Sequence, residues 1–250
     1  MKASQKLRHI IVPRSSIQGE HILITEPDTL HHLIRVLRVK PGEEIECLDG
    51  EGGRYAGMIT TVKPSEIALH IQKRSEEQER RPVLTLVQAL IKPARFEWII
   101  EKAVELGADR LVPVVTERSV VRPPADRRGS RNLRWQRLAD TAASQCGRAS
   151  RMEMVPIIPF AEFIQSKTGA ILLLPTLEVP AKPIESVWQD TWNAQPLTVC
   201  IGPEGDFSKK EADAAVAAGA LAVSLGPLTL RSETAAIAAL ALLQHYRGYL

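Results

Sequence analysis

Three short segments that combine glycine or polar residues with proline follow apolar stretches in the C-terminal half of the sequence. They are Leu174-Pro175-Thr176, Gly202-Pro203-Glu204-Gly205 and Gly226-Pro227-Leu228-Thr229-Leu230-Arg231. Glycine lets the backbone approach a ligand closely and proline stiffens a turn, so such loops can present fixed amide and carbonyl groups to a flat heterocycle. The alternative is that Gly-Pro only turns the chain after a strand, and composition leaves both interpretations open.

Motifs of several other enzyme classes are absent from the sequence. No Gly-x-Gly-x-x-Gly, Gly-x-Ser-x-Gly or His-Glu-x-x-His pattern occurs, and Phe207 stands where a phosphate-binding loop needs its second glycine. His31 and His32 are adjacent, whereas a helical metal site needs ligands about one turn apart. We therefore expect neither a hydrolase nor a metal site.

Composition indicates an ordinary globular protein. With 250 residues and 44% apolar content, the chain can bury one large core or two smaller ones. No apolar run reaches the length of a membrane span, and the first eleven residues lack the apolar stretch of a secretory signal, so we expect a cytoplasmic protein without a membrane partner. Cys47, Cys146 and Cys200 are far apart and odd in number, which predicts three reduced, packed thiols.

Arginine is concentrated in one part of the chain. The net charge is +3, yet the segment from Arg118 to Arg151 contains nine arginines and only two aspartates. The planar guanidinium group suits bidentate contacts with phosphate and stacking on bases. A nucleic acid is the predicted partner, and a solvated helix face with salt bridges is the alternative.

The elements that would position these residues fall into two groups. Up to about residue 74, short apolar runs separated by turn residues predict a small β-barrel or sandwich, interrupted by one helix at 27–39. The predicted strands are 10–12, 22–24, 44–48, 55–62 and 67–71. Residues 72–82 have the composition of a linker, so we predict domains at 1–74 and 75–250.

Beyond the linker, strands and helices alternate, which predicts a mostly parallel sheet covered by helices. The predicted strands are 83–90, 111–115, 155–158, 171–174, 197–201 and 222–225, and the predicted helices are 96–107, 130–146, 208–219 and 233–249. Ser208 and Glu211 have the spacing of a capping box. The last helix is apolar almost all round and must be buried, inside the domain or against a second subunit.

Two C-terminal segments, Ile201-Gly-Pro-Glu-Gly-Asp-Phe207 and Leu225-Gly-Pro-Leu-Thr-Leu-Arg-Ser-Glu-Thr-Ala235, resemble the paired signatures of the bacterial 16S rRNA uridine-N3 methyltransferases of the SPOUT superfamily. Other segments match in the same order, so the resemblance covers nearly the whole chain. These are Arg8-His-Ile-Ile-Val12, the stretch from His32 to Arg38, Lys102-Ala-Val-Glu-Leu-Gly107, Arg134-Trp135 and Gln145-Cys-Gly-Arg148.

The resemblance implies an α/β protein with an N-terminal PUA-like β-barrel that holds RNA and a C-terminal SPOUT domain that is knotted as a trefoil, an exception to the rule against threading. It also implies a homodimer that binds S-adenosylmethionine and methylates a uridine of 16S rRNA in the 30S subunit. The implied cofactor-binding residues are Leu174, Pro175, Thr176, Gly202, Pro203, Glu204, Gly205, Leu225, Gly226, Pro227 and Leu230. The expected RNA contacts are Arg8, Arg35, Arg38, Arg118, Arg122 and Arg148.

Methylation at N3 requires that uracil loses its N3 proton, so the site must favour a developing anion. Arg231, which matches the family signature, is the predicted catalytic residue, and the alternative is that it pairs with Glu204 or Glu233 and only shapes the loop. Either glutamate could also be a general base. Because N3 lies on the Watson-Crick edge, the base must be unpaired or flipped out.

One residue departs from the family pattern, because Asp206 stands where the family usually has a second glycine. Aspartate tolerates a positive φ better than most residues, so we expect the loop to form, with cofactor affinity in question. Two other functions remain open: a SPOUT enzyme that acts on tRNA or a ribose hydroxyl, and a ribosome-assembly factor that binds RNA without catalysis.

Overall fold

The computed structural model describes residues 8–76, 82–166 and 169–250. The chain divides into two compact units, one formed by Met1–Glu79 with Asp140–Arg151 and the other by Arg80–Ala139 with Met152–Leu250. The predicted domain boundary at residue 74 stays a prediction. No helix in the described part of the chain is long and apolar enough to cross a membrane.

The first unit contains a six-stranded mixed sheet in the order β1-β4-β5-β6-β3-β2, in which only β1 and β4 pair in parallel. Its strands are β1 Arg8–Ile11, β2 Ile17–Gln18, β3 His21–Ile24, β4 Glu44–Leu48, β5 Gly53–Lys63 and β6 Glu66–Glu76. The five predicted strands are confirmed, and β2 was missed because two residues are too short to show a period. The predicted linker began too early, since β6 continues to Glu76; residues 77–81 lie outside the described part.

The helical interruption is less regular than predicted. An α-helix, α1 Pro27–His31, continues as a π-helical turn over His32–Leu37, and the turn ends at Arg38 with a left-handed φ of 53°. Leu30 and Leu33 of this segment pack into the core of the first unit. The 3.6-residue period of the apolar residues predicted a helix, but it does not distinguish the hydrogen bonds of an α-helix from the i→i+5 hydrogen bonds of a π-helix.

The second unit contains a parallel sheet in the order β10-β8-β7-β13-β11-β14-β12, with β9 beside β8. Its strands are β7 Leu84–Ala89, β8 Arg110–Val115, β9 Glu153–Met154, β10 Ile158–Pro159, β11 Ile171–Pro175, β12 Lys182–Pro183, β13 Leu197–Ile201 and β14 Leu221–Ser224. The prediction of a single strand at 155–158 is wrong, because β9 and β10 are separate short strands there. The strands β7 and β13 are buried throughout, as an inner parallel strand must be.

The remaining helices are α2 Pro93–Glu105, α3 Ala125–Cys146, α4 Phe160–Gln165, α5 Ile184–Val187, α6 Lys209–Ala217 and α7 Ser232–Tyr246. The capping box predicted for α6 is present in full, with Ser208 accepting from the backbone of Glu211 and Glu211 accepting from the backbone of Ser208. The expected extents of α3 and α7 were wrong at one end, because α3 begins five residues earlier and α7 ends three residues sooner. The short helices α4 and α5 were not foreseen.

The three cysteines have different surroundings. Cys47 and Cys200 are buried, whereas Cys146 is exposed at the end of α3, so the expectation that all three are packed is wrong for Cys146. All three are free thiols, as expected. Burial raises the pKa of the Cys47 thiol to about 12 and also raises that of Cys200.

Candidate functional site

Three loops meet at one edge of the parallel sheet. The strands β13, β11 and β14 are neighbours and run in the same direction, so their carboxyl ends lie side by side. The first loop (residues 174–178) comprises the last two residues of β11 and the three that follow. The second loop (residues 202–207) leaves β13, and the third loop (residues 225–231) leaves β14 and leads into α7. Ligands of open parallel sheets bind at this edge.

The second loop is a tight turn in which a side chain at the first position would press against the backbone of the same loop. A Cβ atom on Gly202 would lie 3.0 Å from the backbone nitrogen of Phe207 and 3.1 Å from the Cα of Asp206. The backbone N–H of Asp206 donates to the carbonyl of Pro203 at 3.0 Å, which closes the turn. Asp206 has a φ of 61°, and the loop forms, as expected for an aspartate, which tolerates a positive φ better than most residues.

The carboxylate of Asp206 joins the first and second loops. Its Oδ2 accepts hydrogen bonds from Thr176 Oγ1 at 2.9 Å and from the backbone N–H of Leu177 at 2.7 Å, and its Oδ1 accepts from the backbone N–H of Phe207 at 2.7 Å. Both oxygens of the negatively charged carboxylate are therefore hydrogen-bonded to donors of these two loops. The residue type predicts that Asp206 tolerates a positive φ, but it does not predict that the carboxylate joins the two loops.

Arg118 forms a second connection between the same loops. Its Nη1 lies 2.5 Å from Glu178 Oε1, 2.7 Å from the carbonyl oxygen of Gly205 and 2.9 Å from that of Phe207. The pKa of Arg118 is raised, chiefly by the hydrogen bond to Glu178, with smaller contributions from nearby carboxylates. Arg118 thus donates to both loops, whereas it was expected to contact RNA.

A buried polar chain connects the second loop to β7 and α7. Ser232 Oγ donates to the carbonyl oxygen of Gly202 at 2.5 Å, and Gln88 Nε2 donates to Ser232 Oγ at 3.0 Å. The other side-chain atom of Gln88, Oε1, is buried and has no partner among the described residues. Sequence reasoning missed both residues, although a glutamine inside an otherwise apolar strand was an available signal.

The acidic residues near α7 pair with Arg95. Its guanidinium lies 3.8 Å from Glu204 and 3.6 Å from Glu233. Glu233 is 13% exposed, and its Oε2 is buried without a partner in the described part of the chain. The side chain of Arg231, by contrast, is exposed and forms no ion pair with a described residue. The alternative that Arg231 pairs with Glu204 or Glu233 is therefore not found.

The third loop is open to solvent. Gly226 has a φ of 130°, which favours glycine, and a Cβ there would meet no atom within 4 Å. The backbone N–H groups of Leu228, Thr229 and Leu230 donate to no described residue. Leu228 on this loop and Leu177 on the first loop are 78% and 73% exposed. Free amides and exposed apolar side chains thus occur together at this edge.

The six arginines expected to contact RNA fall into two groups. Arg35 and Arg38 are exposed, with guanidinium groups that have no partner among the described residues, and Arg8 is exposed with hydrogen bonds to Leu37 and Glu43. Arg118, Arg122 and Arg148 are already bonded to the protein. Arg122 donates to three carbonyl oxygens of the segment after β8, and Arg148 is 7% exposed and donates to Ser150.

The fold and this loop cluster define a class of protein, the RNA methyltransferases that carry a PUA domain. A family model for an RNA methyltransferase domain matches residues 77–244, and a model for an RNA methyltransferase PUA domain matches residues 24–72.

The comparison with individual proteins narrows this class. The chain is 32% identical to ribosomal RNA small subunit methyltransferase E of Synechocystis, over 94% of this chain and 76% of the relative, and 26% identical to that of Bacillus subtilis, over 93% and 90%. It belongs to the ribosomal RNA small subunit methyltransferase E family.

Solved structures of related proteins agree with this assignment. A methyltransferase from Legionella pneumophila with bound SAM superposes with a TM-score of 0.84 at 29% identity, covering 96% of this chain and 98% of that one. A ribosomal RNA small subunit methyltransferase E from Neisseria gonorrhoeae bound to S-adenosylmethionine gives 0.85 at 28% identity, covering 95% and 97%.

Proposed function

We propose that this protein transfers a methyl group from S-adenosylmethionine to N3 of a uridine in the 16S rRNA of the small ribosomal subunit. The observation that carries the proposal is that three loops suited to holding a ligand meet at one edge of the sheet, beside Arg231, which is exposed and has no ion pair with a described residue. Family membership and the S-adenosylmethionine named in two related structures support the choice of cofactor. A ribosomal substrate also implies that the protein acts in the cytoplasm.

The residues at this edge suit that cofactor. Buried acceptors need donors, and the unpartnered oxygens of Gln88 and Glu233 would be satisfied by the amine and hydroxyl groups of such a ligand. The free amides of the third loop offer donors in return, and Leu177 and Leu228 offer apolar contact for a heterocycle. We propose that the loops hold the cofactor through Leu174, Pro175, Thr176, Gly202, Pro203, Glu204, Gly205, Leu225, Gly226, Pro227 and Leu230.

The bound cofactor supplies an activated methyl group, and the chain itself supplies alignment and charge. Uracil N3 becomes a nucleophile only as its proton leaves, which places negative charge on the ring. Arg231 is the exposed cation at this edge whose charge no described carboxylate neutralises, so it is suited to stabilise that anion. Ser232 donates to the carbonyl of Gly202 and itself accepts a hydrogen bond from Gln88, so the pair fixes the start of the second loop.

We propose that the first unit, centred on a domain at residues 1–74, holds RNA as a PUA-like barrel and that Arg8, Arg35 and Arg38 contact phosphates there. Arg118, Arg122 and Arg148 were expected to do the same, but Arg118 and Arg122 each donate to three acceptors of the protein and Arg148 is buried, which favours a structural role. Other cations of the basic segment are also paired, Arg134 with Glu97 and Arg151 with Asp140. The alternative interpretation of the basic segment, a solvated helix face with salt bridges, therefore accounts for some of its arginines.

We also propose that residues 75–250 form a trefoil-knotted domain that dimerises. Several apolar side chains of α7 are only half-buried in the single chain, among them Ile237, Ala238 and Leu242. Covering such a surface with a second copy is favourable because it removes apolar area from water. Sedimentation should give twice the 27.6 kDa mass of one chain, and a monomer at micromolar concentration would refute this part.

Three measurements test the function. Calorimetry should detect binding of S-adenosylmethionine, and purified protein should methylate 30S subunits from cells that lack it. Mass spectrometry of rRNA nucleosides from those cells should show loss of N3-methyluridine. If the protein fails to bind the cofactor at millimolar concentration, it is an RNA-binding factor without catalysis; methylation of tRNA or of a ribose hydroxyl instead would show a different substrate.

A further inference from the structure

Asp206 combines an unusual backbone conformation with unusually complete side-chain bonding. Its φ of 61° lies in the left-handed region, where among the described residues the only other side chain that is not glycine belongs to Arg38. All three hydrogen bonds to its carboxylate come from protein donors. A glycine would adopt this φ without strain, so the backbone alone does not explain why aspartate stands here.

The bonds of Asp206 connect segments that are about thirty residues apart in the chain. Thr176 and Leu177 belong to the first loop, and Phe207 belongs to the second. Arg118 connects the same two loops, because it donates to Glu178 of the first loop and to two carbonyls of the second. Two charged side chains of opposite sign therefore fasten the same pair of loops.

Fastening these loops has a consequence for ligand binding. When a ligand must order loops as it binds, the entropy cost of that ordering reduces the free energy of binding. Loops that are already ordered avoid this cost. Hydrogen bonds to a charged group are stronger than those between neutral groups, so a carboxylate is a suitable fastener.

We propose that Asp206 is a positioning residue that holds the first and second loops at the spacing required to bind S-adenosylmethionine. It acts through Thr176, Leu177 and Phe207, and its carboxylate need not touch the cofactor. The inference rests on the proposed function, because it assumes that these loops form the cofactor site.

The test compares Asp206→Gly with Asp206→Asn. Glycine keeps the backbone conformation and removes all three bonds, so calorimetry should show cofactor binding weakened roughly tenfold, which corresponds to about 1.4 kcal/mol. Asparagine also tolerates the left-handed conformation, but one end of its amide is a donor, so one of the two backbone N–H groups loses its acceptor. We expect an intermediate loss. The KM for the cofactor should rise in both variants while kcat changes less than twofold.

Hydrogen exchange of the protein without cofactor gives an independent readout. Peptides that contain the first and second loops should exchange faster in Asp206→Gly than in the wild type. The matched control is Asp49→Asn, because the Asp49 carboxylate also accepts from two backbone N–H groups, those of Glu51 and Gly53, in the first unit. The control should change neither exchange in the loops nor cofactor binding.

The outcomes separate the two proposals. If the wild type binds the cofactor and Asp206→Gly binds it equally well, the positioning role is refuted, even if exchange in the loops is faster. If the wild type itself does not bind, the proposed function fails. Should Asp206→Gly not fold, the isosteric Asp206→Asn decides, because unchanged cofactor affinity in that variant would also overturn the proposal.

Discussion

Arg231 stands at a position where a cation is unfavourable for the fold, which makes its replacement informative. It is the N-cap residue of α7, with an extended backbone and no side-chain hydrogen bond to the helix. Helix N-termini carry partial positive charge and favour Ser, Thr, Asp or Asn at the N-cap. We predict that Arg231→Asn leaves the protein as stable as the wild type or more stable, and that it suppresses methyl transfer.

The magnitudes follow from the geometry. Asparagine at the N-cap contributes about 1 kcal/mol through a hydrogen bond to the first turn. Removing an exposed cation from the helix N-terminus adds about 0.3 kcal/mol. For a chain of this length, 1 kcal/mol corresponds to a rise in Tm of roughly 2–4 °C. Loss of one stabilising group for a developing anion should lower kcat by about 10²–10³.

The assay pairs thermal unfolding and cofactor calorimetry with single-turnover transfer to 30S subunits. The matched control is Arg110→Ala, which removes the same charge at the amino end of β8 and breaks only an exposed ion pair with Glu153; its kcat should stay near that of the wild type. The reasoning is refuted if Arg231→Asn transfers methyl within threefold of the wild type. A fall in Tm together with lost cofactor binding would mean that Arg231 is structural.

Three further predictions concern the loops, the RNA contacts and the thiols. Gly202→Ala should weaken cofactor binding because its Cβ would lie 3.0 Å from the backbone of the same loop and would force that backbone to shift, whereas Gly205→Ala, with an ordinary 3.6 Å contact, should have a clearly smaller effect by calorimetry. Arg38→Gly should raise the free energy of unfolding by about 1 kcal/mol by relieving the left-handed conformation and should reduce the slope of log K against log salt for RNA by about 1; an unchanged slope would exclude a phosphate contact. A thiol reagent at about pH 8 should modify Cys146 long before Cys47, whose pKa burial raises to about 12, and equal rates would contradict the packing.

Local features of the sequence determined much of the fold. The alternation of apolar stretches and turns predicted strands such as β4 and β13 to the residue, because a strand of five residues bounded by turn residues has little freedom in its limits. The capping box at Ser208 and the end of α2 near Gly107 were also predicted, since both depend on residues within one helical turn. The paired loop segments indicated the family for the same reason, because they are contiguous in the sequence.

The arrangement of the site depended on contacts between distant residues. Nothing local indicates that Arg118 donates to residues 178 and 205. Nothing local indicates either that Glu204 and Glu233 pair with Arg95, so that no described carboxylate pairs with Arg231. A charged residue in sequence has many possible partners, and only the folded chain selects one.

Asp206 has one property that depends on local sequence and another that depends on contacts between distant residues. Its residue type was enough to predict that the second loop tolerates a positive φ, because that tolerance is a property of a single side chain and its own backbone. The bonds of its carboxylate to Thr176 and Leu177 required the order of β13 and β11 in the sheet, which brings two loops about thirty residues apart to the same edge. The sequence determined which conformations and charges were available, and the tertiary structure decided which of them meet.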